Sequence, residues 1–98
     1  MEINKIRDND KLTIAIAGEI EAGNSDELEQ SVLDSLDGVN ELILDLKDVE
    51  YIASAGLRVI LQAKKAMGKG KGFKIVNAQE DVMEIFEMVG FLDIIDFG

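Results

Sequence analysis

The chain has 98 residues, 47% of them hydrophobic and 31% charged, proportions that suit one soluble globular domain with a single core. It has no Cys and no His, which removes disulfides, thiolate chemistry, sulfur- or imidazole-ligated metal, a Ser-His-Asp triad and a phosphohistidine relay. A formal net charge of -10 repels nucleic-acid phosphates, and no apolar run approaches the ~20 residues needed to cross a bilayer.

The opening residues MEINKIRDNDKL hold no continuous apolar segment behind a basic start, so no secretory signal is expected and a cytoplasmic location is the simplest reading. Residues 2–7 and 11–17 read as strands on either side of the turn-like Asp8-Asn9-Asp10. In the second, Leu12, Ile14 and Ile16 alternate with Thr13, Ala15 and Ala17, and Gly18 is expected to end it. A connection this short joins antiparallel neighbours. In GNSDELEQSVLDSLDGV, Asn24 followed three residues later by Glu27 has the spacing of a helix start. Asp26 and Glu27 then fall in a first turn that favours negative charge. Leu28, Val32, Leu33 and Leu36 form an apolar stripe, and Gly38 is placed to end the helix.

ELILDL, residues 41–46, is a short apolar strand covered on both faces or nearly so. The next helix is expected from Ala55 to Met67, with Leu57, Ile60, Leu61 and Lys64 on a shared face, and GKGKG at 68–72 breaks it. Phe73–Val76 reads as a strand, residues 80–89 as a helix carrying Val82, Ile85, Phe86 and Val89, and Leu92–Phe97 as a closing strand. The order β-β-α-β-α-β-α-β implies one α/β domain over residues 1–98. Its mixed, mostly parallel sheet has about five strands, with three to four helices, and the first strand is added antiparallel.

In such sheets the working sites lie beyond the carboxyl ends of parallel strands. Two loops qualify, Asp48–Ser54 and Gly18–Asn24, and they are neighbours if the second and third strands pair. Ser54 begins a helix between Ala53 and Ala55-Gly56, where a hydroxyl serves as an N-cap. The same place welcomes a phosphate, because free N–H groups and the helix dipole stabilise negative oxygens. No Ser-x-x-Lys pair starts at Ser54, since position 57 is Leu57, so a serine hydrolase lacks a base and no enzyme is expected. GKGKG follows a helix and lacks the phosphate-loop pattern; it reads as a turn with solvated lysines. Asp45, Asp48, Glu50, Glu19 and Glu21 are the residues that would gather a divalent cation, but in a half this acidic a solvated surface is the better reading.

GEIEAGNSDELEQSV, LILDLKDVEYIASAGLRVILQAKK and KIVNAQEDVMEIFEMVGFLDII resemble, in order and spacing, the STAS domain of bacterial anti-sigma factor antagonists. The most specific part is Asp-Leu-x-x-Val-x-Tyr-Ile-x-Ser-x-Gly-Leu, ending at Leu57, together with the tail Val-Gly-Phe-Leu. The resemblance implies a switch by partner exchange, in which the unmodified protein binds an anti-sigma factor that is a serine kinase and frees a sigma factor. Phosphorylation, which falls on Ser54, weakens that complex, and a phosphatase resets it. The implied partner surface comprises Glu21, Asn24, Ala53, Ser54, Ala55, Gly56, Leu57 and Arg58, with no cofactor, no membrane and a monomeric chain. Ala53 and Ala55 stand where many phosphorylated members carry Asp and a second hydroxyl, and Glu21 stands for an Asp. Those departures motivate an alternative, a constitutive interaction module within a larger regulatory or transport assembly. A third possibility is a receiver domain phosphorylated on Asp45 or Asp48, which would need an acidic pair after its first strand.

Overall fold

Alternating apolar side chains decide which face of each strand is covered. β1 (Glu2–Asp8) and β2 (Lys11–Ile20) pair antiparallel across a tight reversal at Asn9, whose φ of 56° is the left-handed conformation such turns use. β3 (Glu41–Ile52) lies parallel to β2, and β4 (Gly72–Val76) parallel to β3. The computed structural model, which describes residues 1–98, is thus a four-stranded sheet in the order β1-β2-β3-β4. Registered pairs put Leu12 beside Leu42, and Ile14 beside Leu44, which also pairs with Ile75; all are buried in one 21-residue core.

The crossover helices are α1 (Ala22–Leu33), α2 (Ser54–Met67) and α3 (Glu80–Met88). The α/β order holds through α3. The closing segment is not a regular strand, however: Phe91–Asp93 turns as a 3-10 helix, and Lys74 and Asp96 form a single parallel bridge. The reason lies in the side chains. Phe91 and Ile95, four residues apart, both enter the core, while Leu92 and Ile94 face out. That spacing suits a turn, and Ile94 and Ile95 both donate their N–H to the Phe91 carbonyl. Phe86, fully buried, is flanked by Phe91 and Phe97 at centroid distances of 5.7 and 5.3 Å.

β3 continues six residues beyond the expected Leu46, and β2 runs past Gly18 to Ile20. Their pairing shifts register twice, with extra β3 residues between Asp45 and Asp48 and again between Val49 and Tyr51. The Asp45 carboxylate braces the first bulge by accepting from the Lys47 N–H at 3.0 Å. Gly18 sits at the second with φ 104°, a value that favours glycine. α1 ends at Leu33, earlier than Gly38, and Leu33 is exposed. Two β1 cations hold its far end: Lys5 Nζ donates to Ser31 O and Ser35 Oγ, and Arg7 to Asp37 O. On α2 the inward face is Gly56, Val59, Ile60, Ala63 and Met67; Leu57 is half-buried and Leu61 is exposed, so the expected stripe is rotated. No helix is long and apolar enough to cross a membrane.

Candidate functional site

Parallel pairing brings the carboxyl ends of β2 and β3 together, with Ile20 beside Ile52. The Ala53 N–H then donates to the Ile20 carbonyl at 2.8 Å, so the loops that follow both strands share one rim. Glu21 and Ser54 are thereby neighbours in the fold, as adjacency of the strands requires. Gly56 lets α2 settle onto the strand ends. A Cβ there would stand 2.6 Å from Ile20 Cγ2 and 2.8 Å from Ile52 Cγ1. Gly56 is buried, so its small size serves the core and not a visiting surface.

Ser54 is not the helix cap. That position belongs to Ala53, extended at φ −83° and ψ 168°, and Ser54 is the first helical residue with no side-chain capping bond. The physical cause is the bond to Ile20, which holds Ala53 in strand-like geometry, so that the helix starts at Ser54, one residue before the expected Ala55. The Ala53 carbonyl accepts from Gly56 and Leu57, and the N–H groups of Ser54 and Ala55 are left without a carbonyl partner. The Ser54 side chain is exposed and free of hydrogen bonds. A nucleophilic hydroxyl therefore stands in the open at the positive end of a 14-residue helix.

Asn24 also plays a different part from the expected cap. Glu21 is the N-cap of α1, and Asn24 lies three residues inside, where its Oδ1 accepts from the Glu21 N–H at 2.8 Å. Its Nδ2 donates to the Glu19 carbonyl at 2.9 Å, so one side chain pins both sides of the β2–α1 junction. Asp26 and Glu27 consequently fall beyond the first turn. The rim is acidic. A hydrogen bond with Glu21, then the charges of Glu21 and Glu50, hold the Glu19 carboxyl above its ordinary 4.5. The nearby cation is Arg58, whose Nη2 lies 3.9 Å from Asp26 Oδ1 across the two helices.

Of the expected surface residues, Glu21, Ser54 and Arg58 are exposed, Asn24, Ala53, Ala55 and Leu57 are half-buried, and Gly56 is inside. Tyr51, 49% exposed and next to last in β3, and Asp26, the ion-pair partner of Arg58, join this surface without having been singled out as part of it. Tyr51 lay within the quoted pattern, but nothing local showed which way its ring points. No three carboxylates converge as a metal cage. Asp45 accepts from Lys47 N–H and from Asn77 Nδ2, which fastens β3 to the end of β4. A receiver site does not fit either. β1 is antiparallel, so its carboxyl end at Asp8 lies by Lys11 and Glu41, the opposite end of the sheet from Ile52. At the far end of α2, Lys64, Lys65, Lys69 and Lys71 line an open groove of about 600 Å³ with Leu61 and Ile94.

The anti-sigma-B factor antagonist of Bacillus subtilis is 34% identical to this chain over 102 residues, covering 100% of the chain and 93% of that protein. The crystal structure of an anti-sigma factor antagonist from Mycobacterium paratuberculosis superposes with a TM-score of 0.89 at 22% identity, covering 98% of this chain and 83% of that one. The phosphorylated form of the Bacillus cell fate determinant SpoIIAA superposes with a TM-score of 0.76 at 11% identity, over 99% of this chain and 91% of that one. At such identities the two structures establish likeness of fold. Residues 2–98 match the STAS domain, and the chain belongs to the STAS domain family.

Proposed function

We propose that the chain is an anti-sigma factor antagonist, a cytoplasmic monomer that works by binding and is gated by phosphorylation. Its unmodified form binds an anti-sigma factor that is also a serine kinase, and a sigma factor is released. The kinase then transfers the γ-phosphoryl group of ATP to Ser54: a bond forms between Oγ and phosphorus, the bond to ADP breaks, and the hydroxyl proton goes to a base on the kinase. A separate phosphatase hydrolyses the ester and resets the protein. The single observation that carries this reading is the exposed, unbonded hydroxyl of Ser54 at the rim formed by β2, β3 and α2.

The gating follows from charge. Phosphorylation adds about −1.5 to −2 units at neutral pH. The N–H groups of Ser54 and Ala55 and the helix dipole accommodate that charge, so the fold survives. A partner surface shaped to the uncharged hydroxyl and the acidic rim does not, because it must desolvate the phosphate or pair with it. Support comes from the name of the Bacillus subtilis relative and from a phosphorylated protein of this fold.

The test is incubation with a candidate kinase and ATP, followed by mass mapping, alongside binding of two variants. Ser54→Ala should keep partner binding and Ser54→Asp should weaken it; equal binding by both contradicts the gate. A second reading, a constitutive interaction module, is favoured by Ala53, which puts a methyl where many phosphorylated members of the family carry Asp before the serine. It predicts the same complex with and without ATP, and no phosphate on Ser54.

A further inference from the structure

Arg58 lies four residues along α2 from Ser54, and both are exposed. Residues at this spacing share a helix face, with Cβ atoms ~5–6 Å apart, and an acidic group N-terminal to a cation is the favourable orientation. An arginine side chain spans that gap. In the unmodified protein Arg58 leans instead towards α1, where Nη2 meets Asp26 Oδ1 at 3.9 Å. The side chains of that pair are 61% and 95% exposed, so solvent screens it and little holds it closed. The other charged side chains around the mouth of α2 are acidic, Glu19 on β2, Glu21 at the start of α1 and Glu50 on β3, and the Met1 amino group packs beside Gly18 at the same end of the sheet.

Resting on the reading that Ser54 accepts a phosphoryl group, we propose that Arg58 is the residue that binds the phosphate, exchanging Asp26 for it. A phosphoserine carries more charge than Asp26 and offers three acceptor oxygens, and a guanidinium engages two of them at once. Pairing with the phosphate draws Arg58 off α1. The ion pair that joins α1 to α2 at the rim is broken, and the Asp26 carboxylate, already 95% exposed, loses its charge partner as the new phosphate appears. The modified face therefore differs from the unmodified one at two places, and a partner fitted to the unmodified face matches neither.

Phosphoserine inserted at position 54 during translation bypasses any kinase, and its second ionisation is followed by phosphorus NMR titration of the full chain. Arg58 favours the dianion, so the parent phosphoprotein should ionise at lower pH than Arg58→Gln, by roughly 0.3–0.7 pH unit, a two- to fivefold change in ionisation constant. Arg58→Lys should recover part of the difference. Asp26→Asn, which frees Arg58, should lower the pKa further in the parent and by less in Arg58→Gln. Coincident titration curves for the parent and Arg58→Gln overturn the proposal, as do equal shifts from Asp26→Asn in both backgrounds. Failure of a kinase to label Ser54 would count against the gated function alone, because the titration needs no kinase.

Discussion

Replacing Gly56 with Ala tests whether α2 is held against the strand ends by close approach. The new methyl would lie 2.6 Å from Ile20 Cγ2 and 2.8 Å from Ile52 Cγ1, closer than Cβ atoms approach a neighbour in folded proteins. Neither isoleucine has room to retreat, since they are 1% and 2% exposed within the core. Overpacking of this kind costs ~1–3 kcal/mol. Removing the flexibility of glycine within a helix returns about 0.5–1 kcal/mol. The net effect is a loss centred on about 1 kcal/mol and reaching about 2.5 kcal/mol, or roughly 5–20 °C in Tm for a domain of this size. Urea unfolding and calorimetry measure it directly. Gly23→Ala is the control: it sits in α1 with nothing within 4 Å of the added Cβ, and should stabilise by up to about 1 kcal/mol. If Gly56→Ala unfolds at or above the parent temperature, Gly56 is not the point on which the helix seats, and the placement of Ser54 has another cause.

Asn24→Ala removes one donor and one acceptor that join Glu19 to Glu21, a loss of about 1–2 kcal/mol by denaturant titration, accompanied by weaker partner binding as the rim loosens. Glu21→Gln should return the Glu19 carboxyl towards its ordinary 4.5, as read by carbon-detected NMR titration of side-chain carboxyls. Because Glu19 binds its proton more readily folded than unfolded, its part in stability improves as pH falls from above its raised pKa towards 4.5; Glu21→Gln should flatten that slope.

Period-two alternation in β2 and helical spacing in α1 and α3 made the element order legible, because those patterns are local. What was hidden depended on partners distant in sequence. The extension of β3 to Ile52 passes through two bulges, and each breaks the alternation that would announce a strand. Phe91 and Ile95 belong to the core through Phe86 and its neighbours, so a segment with strand-like composition folds as a turn. At the site, the exposure of Ser54 agrees with its position at the start of an amphipathic helix, yet its capping role fails because a hydrogen bond from Ala53 to Ile20 makes Ala53 the cap. Nothing near Asn24 in sequence told that its amide would reach back to Glu19. Likewise the pairing of Arg58 with Asp26 needs both helices in place.

The groove of four lysines sits at the tail of the same helix whose head carries the acidic rim, about 20 Å away by the rise of 14 residues. Glutamates at the head and lysines at the tail each oppose the helix macrodipole at their own end. Together they give this acidic protein a lengthwise polarity, so a cationic visitor feels a torque before it feels a contact. Approach with the serine end leading is favoured, and its rate should fall as added salt shortens the reach of that field.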